Sequence, residues 1–150
     1  MNIYVVGSLR KPETEEFAKT LESMGHEPFV DWRAAGPRAD DEWREFFQRM
    51  GKSYSQALFS DFVQTFVNYD GKHIDWSDVV IGLNPTGLSA GLELFYAAVT
   101  GKPTIAYYSE QPARWDGMWL LIFRMRPGAR FWVAEDMPHV EQLLGHVDVS

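Results

Sequence analysis

Short apolar runs alternate with helix-patterned segments along this chain, and that alternation restricts the fold more than any other feature. Ile3-Tyr4-Val5-Val6 stops at Gly7-Ser8, and Pro12 then opens a segment in which Phe17, Leu21 and Met24 recur at helical spacing. Gly25 closes that helix, 26–30 supplies a second strand, and Ala34-Ala35-Gly36-Pro37 interrupts regular structure. Between 40 and 68, the positions Trp43, Phe46, Phe47, Met50, Tyr54, Ala57, Leu58, Phe62 and Phe66 suit one or two amphipathic helices broken at Gly51. Asp78-Val79-Val80-Ile81-Gly82-Leu83 reads as a buried third strand, 84–89 as a loop and 90–100 as a helix ended by Gly101. A fourth strand at 104–108, a helix at 115–124, a fifth strand at 130–134 and a helix at 138–144 complete the pattern.

Strands that alternate with helices predict an α/β fold with a parallel sheet covered on both faces. Five strands favour the doubly wound, flavodoxin-like order 2-1-3-4-5, with 1–150 as a single domain. A chain of 150 residues with 45% hydrophobic content can bury such a core without staples, and it has no cysteine to oxidise. In this order strands one and three are neighbours whose connections leave in opposite directions. Ligands bind beyond the carboxyl ends of such strands. The loops expected there are 7–10 and 84–91.

Gly7-Ser8-Leu9-Arg10 follows the first strand and precedes a helix, so backbone N–H groups, a hydroxyl and a guanidinium can converge on an anion. The same four residues also suit an ordinary glycine turn with a solvated arginine. Neither the Walker spacing nor the Gly-x-Gly-x-x-Gly fingerprint occurs, which disfavours ATPase and dehydrogenase chemistry. The second loop, Asn84-Pro85-Thr86-Gly87-Leu88-Ser89-Ala90-Gly91, is rich in small residues that let a ligand approach backbone.

The helix that follows carries Glu93 in its expected first turn, where the helix dipole keeps a carboxylate ionised, as a nucleophile requires. Leu92, Phe95, Tyr96 and Val99 mark the expected sheet-facing side. A first-turn glutamate can equally serve only to start the helix. Asp70 stands in Asp70-Gly71-Lys72-His73-Ile74-Asp75-Trp76-Ser77-Asp78, a crowd of titratable groups that matches no zinc or EF-hand spacing and reads as a polar turn. We expect no metal and no cofactor. If Asp70 reaches Glu93, one carboxylate can attack an anomeric carbon while the other handles the leaving group's proton.

The formal net charge of −7 opposes the phosphate-neutralising surface that nucleic acid polymers need, while a single nucleotide in a pocket remains compatible. No leader pattern or apolar run of membrane-spanning length is present in these residues, so a cytoplasmic protein without membrane contact is expected.

Taken together, Ile3 to Arg10, Asp70, the third strand with its small-residue loop, and Gly91-Leu92-Glu93-Leu94 resemble the nucleoside 2-deoxyribosyltransferase superfamily. The similarity extends to the 2'-deoxynucleoside 5'-monophosphate N-hydrolases and fades beyond Tyr108. It implies a doubly wound fold acting on a nucleoside or nucleotide, with Glu93 forming a covalent glycosyl-enzyme, Tyr4 contacting Glu93, and Asp70 assisting the base. It also implies a homodimer or higher homo-oligomer in which a neighbour reaches the pocket. Gly7, Ser8, Leu9, Arg10, Asn84, Thr86, Gly87, Ser89 and Gly91 become the expected substrate contacts. Two departures stand out: Lys11-Pro12 replaces a glycine pair and arginine of the hydrolases, and Thr86 and Ser89 stand where transferases often place an aspartate. Trp43 and Tyr54 suit base stacking or a subunit interface, and so do Trp115, Trp119 and Phe123. Competing readings are an NAD glycohydrolase or cyclase of the Toll/interleukin-receptor type and a non-catalytic nucleotide-binding module.

Overall fold

The computed structural model describes residues 1–85 and 87–147. Five parallel strands, β1 (Asn2–Val6), β2 (Glu27–Phe29), β3 (Val79–Leu83), β4 (Thr104–Tyr107) and β5 (Phe131–Ala134), form one sheet in the order β2-β1-β3-β4-β5. This is the order expected from the alternation of elements. Helices α1 (Glu13–Ser23) and α7 (Met137–Gly145) belong to one layer, while α4 (Asp61–Trp76), α5 (Leu88–Thr100) and α6 (Leu121–Met125) belong to the other.

Strand side chains alternate between faces, so one strand feeds two cores. From β1, Ile3 and Val5 join Phe17, Leu21 and Val140 on one side. Tyr4 and Val6 join Ile74, Leu94, Ala97 and Ala98 on the other. That alternation puts a tyrosine under the two helices that carry Asp70 and Glu93.

Several boundaries differ from expectation for physical reasons. The stretch from 40 to 68 becomes three helices rather than one or two: α2 (Ala39–Arg49), α3 (Tyr54–Leu58) and the start of α4. Ser53 and Gln56 close a capping box on α3, and the Ser60 hydroxyl accepts from the Val63 N–H to open α4. With that start, α4 runs through Asp70 to Trp76, so the segment expected to be a polar turn is helix. The segment at 115–124 divides into a 3-10 turn, Gly117–Leu120, and α6. Residues Asp31–Ala35 form a further 3-10 turn after β2.

The sheet-facing side of α5 also differs from expectation. Leu94, Ala97 and Ala98 are fully buried, whereas Leu92 is 58% and Tyr96 41% exposed. Gly82 explains why small residues face inward: a Cβ there would lie 2.5 Å from a Leu94 methyl, so the helix sits close against β3. Leu94 is fully buried, so its methyls have little room to move aside. Gly82→Ala is therefore expected to destabilise the fold by about 1–3 kcal/mol, read as a lower denaturant midpoint. An unchanged midpoint would mean that α5 has slack against the sheet. Gly101, at φ 102°, ends α5 in the left-handed conformation, as expected for a C-terminal glycine.

Candidate active site

Helical spacing places both carboxylates over Tyr4. Asp70 precedes Ile74 by one helical turn, and Ile74 is buried in the core beneath α4. Glu93 stands one turn before the buried Ala97 on α5. Both side chains are thus carried on the inner sides of their helices. Tyr4 is 1% exposed, and its hydroxyl interacts with both carboxylates.

Burial, followed by the charge of Asp70, pushes the Glu93 carboxyl up to about 7, against the Tyr4 hydroxyl that pulls it down. Burial also raises Asp70, with Tyr4 and His73 opposing. Tyr4 is held above its ordinary value by burial and by the charges of Glu93 and Asp70, so it remains a hydrogen-bond donor. These shifts correct the expectation of a dipole-stabilised, permanently ionised Glu93. The helix begins at Leu88, so Glu93 lies in the second turn, where the dipole is weak and burial dominates.

The three side chains open into a cleft of about 1310 Å³ at the carboxyl ends of β1 and β3. Gly7, Ser8, Leu9, Asn84, Gly87 and Ser89 line it together with Tyr4, Asp70 and Glu93. Asn84, at φ 45°, exchanges side-chain hydrogen bonds with the Ser109 backbone and hydroxyl, an arrangement that fixes the loop after β3. The Ser8 hydroxyl accepts from the Arg10 N–H. The Arg10 guanidinium turns to Asp41 at 3.1 Å and, like Gly91, is not among the lining residues described. Thr86 lies outside the described residues.

No protein-family model matches this chain, and no curated protein does. The CMP N-glycosidase BcmB of Clostridium botulinum shares its topology with a TM-score of 0.56 at 13% identity, over 97% of this chain and 99% of its own. A 2-deoxyribosyltransferase from Bacillus psychrosaccharolyticus matches with a TM-score of 0.54 at 21% identity, over 94% and 90%. The fold is that of these two enzymes. The cleft sits at the switch point between β1 and β3 of this sheet.

Other residues around the cleft carry no clear signal in the sequence. Trp32 lines it and donates its indole N–H to the Val5 carbonyl at 2.9 Å. Asp31 and Asp75 also face it. For Trp32, the one hint is its position shortly beyond the carboxyl end of β2. Trp43 lines the cleft, whereas Tyr54 is 72% exposed and is not among the lining residues described. Trp119 donates to the Tyr108 hydroxyl and packs on Phe131, and Trp115 is exposed. Among the described residues, no group of three or more His, Cys, Asp or Glu side chains is placed to hold a metal, and no helix is long and apolar enough to cross a membrane.

Proposed function

We propose that this protein cleaves or transfers the N-glycosidic bond of a nucleoside through a covalent glycosyl ester on Glu93. The observation that carries the proposal is the convergence of Asp70 and Glu93 on the buried Tyr4 hydroxyl at the switch-point cleft. A non-catalytic nucleotide module has no use for two carboxyls held against their preferred ionisation. That the fold is shared with a CMP N-glycosidase and a 2-deoxyribosyltransferase supports the same chemistry.

The reaction follows from where the protons sit. With one proton shared between the pair, Asp70 protonated and Glu93 ionised form the productive state. Glu93 attacks C1' as the C1'–N bond breaks, and its electron pair leaves with the base, which takes the Asp70 proton. Tyr4 holds the attacking carboxylate by donation. Water or a second base then attacks C1' from the opposite face and releases Glu93, and Asp70 recovers a proton. Trp43, Phe62 and Phe66 supply an aromatic wall suited to a planar base.

The cleft lining carries Asp31, Asp40, Asp70, Asp75 and Glu93 against Lys11 and Lys72, a balance that repels a phosphate dianion. With Arg10 committed to Asp41, this favours an unphosphorylated sugar. Incubation with nucleosides, 5'-monophosphates and NAD, followed by resolution of free bases, tests the assignment. Base release from nucleosides is expected. Release from NAD alone would favour the NAD glycohydrolase reading. Arg10→Ala should leave the preference between nucleoside and 5'-monophosphate unchanged, and a shift in that ratio would return Arg10 to the site.

Because the pair loses its last proton near 7, kcat/KM is expected to fall as pH rises through about 7. Asp70→Asn should lower kcat by roughly 10²–10⁴-fold for ordinary purine substrates, since amide nitrogen cannot supply the proton. With a 7-methylated purine nucleoside, whose cationic base leaves unaided, the loss should shrink. Equal losses on both substrates would remove Asp70 from proton transfer.

A further inference from the structure

The loop between β1 and α1 lines the cleft with Gly7, Ser8, Leu9 and Lys11, and two of its carbonyls are held from the segment after β2. Arg33, in the 3-10 turn Asp31–Ala35, reaches back with its guanidinium. Nη1 donates to the carbonyls of Ser8, at 3.1 Å, and Lys11, and Nη2 pairs with Glu15 of α1 at 3.3 Å. The arginine side chain is only 16% exposed, and its Nε–H is buried without a hydrogen-bond partner among the described residues.

Stability alone does not account for this arrangement. An ionised guanidinium is largely removed from water with one donor orphaned, which is a costly way to brace a surface loop. A local turn would brace it at less cost, and the loop already has one, through the Lys11 N–H to the Ser8 carbonyl and the Arg10 N–H to the Ser8 hydroxyl. What Arg33 adds is orientation. A trans peptide points its C=O and N–H in opposite directions, so a hold on the Ser8 carbonyl turns the Leu9 N–H away from Arg33. Arg33 also stands beside Trp32, which lines the cleft and is anchored to Val5 at the end of β1. Two adjacent side chains thus tie the segment after β2 to β1 and to the loop that follows it.

We propose that Arg33 is a positioning residue that sets the β1–α1 loop as a wall of the substrate cleft. The proposal rests on the N-glycosidic reading above. Arg33 touches none of the reacting groups; it acts through loop geometry on substrate binding and leaves Tyr4, Asp70 and Glu93 in place.

Steady-state kinetics of wild type, Arg33→Ala and Arg33→Lys on the best nucleoside from the panel test it. Arg33→Ala should raise KM about tenfold or more and change kcat by less than about threefold, the pattern of lost binding without lost chemistry. Millimolar guanidinium, well below denaturing concentration, should bring the KM of Arg33→Ala back toward wild type and leave wild type unchanged. Arg33→Lys should fall between them, because a point charge cannot span two carbonyls and a carboxylate. A lower kcat at constant KM, or unchanged kinetics in both variants, would overturn the proposal. If Arg33→Ala fails to fold, Arg33→Lys carries the same KM-against-kcat comparison. Absence of turnover by wild type would instead strike the N-glycosidic reading itself, so the two failures are separable.

Discussion

Glu93→Ala is expected to abolish N-glycosidic turnover, by roughly ten-thousandfold or more, while the protein stays folded. A nucleophile that becomes bonded to the sugar has no substitute among the surrounding groups: Tyr4 is kept protonated by its burial, and Asp70 is needed for the base. The loss should appear in kcat, with substrate binding largely kept, since the cleft's walls come from other residues. Retained turnover in a folded Glu93→Ala protein would end the assignment of Glu93.

The same carboxyl makes a second large effect visible without substrate. Folded Glu93 holds its proton up to about 7, against an ordinary value of 4.5. Its contribution to stability is therefore intact below about 4.5 and is lost as pH rises through 7, where the folded state must bury a charge that the unfolded chain exposes to water. Each pKa unit corresponds to about 1.4 kcal/mol, so at pH 8 the native glutamate costs on the order of 3 kcal/mol. Glu93→Gln removes that charge at nearly constant shape. It should raise the melting temperature at pH 8 by roughly 5–10 °C. The gain should dwindle as pH falls toward 4.5. A Gln variant no more stable than wild type at pH 8 would show that Glu93 is well solvated or satisfied by partners, and the raised pair would lose its basis.

The sheet order was legible because β1 and β3 are apolar runs bounded by glycine or small-residue loops, and because strand and helix periods differ enough to count. Asp70 and Glu93 stood out by spacing and by resemblance. Their ionisation did not, since it arises from packing between segments far apart in sequence. The loop after β3 offers no local sign that the helix begins at Leu88, and that two-residue shift takes Glu93 beyond the reach of the dipole.

The inner side of α5 departs from its sequence pattern for a related reason. Large residues at helical spacing point to the core in an average helix, but Gly82 draws this helix so close that only Leu94 and two alanines fit beneath it. The larger Leu92 and Tyr96 are left to border the cleft. Gly71 and its titratable neighbours have the composition of a turn, yet the Ser60 cap and the buried Val63 and Ile74 carry α4 through them. Arg33 left no sequence signal, because a lone arginine after a short strand looks the same whether it is solvated or clamped to a distant loop.

The covalent intermediate is the centre of the mechanism, and trapping it is the most direct test. A 2'-fluorinated deoxynucleoside slows both formation and breakdown of the glycosyl ester, because the electron-withdrawing group destabilises the oxocarbenium-like transition states. Intact-mass analysis of the incubated protein should then show one added fluorosugar, and peptide mapping should place it on Gly91-Leu92-Glu93-Leu94. The product anomer should be retained, as two inversions require. An inverted product with no adduct would contradict this account and make Glu93 the base for direct attack by water, while an adduct on Asp70 would exchange the roles of the two carboxylates.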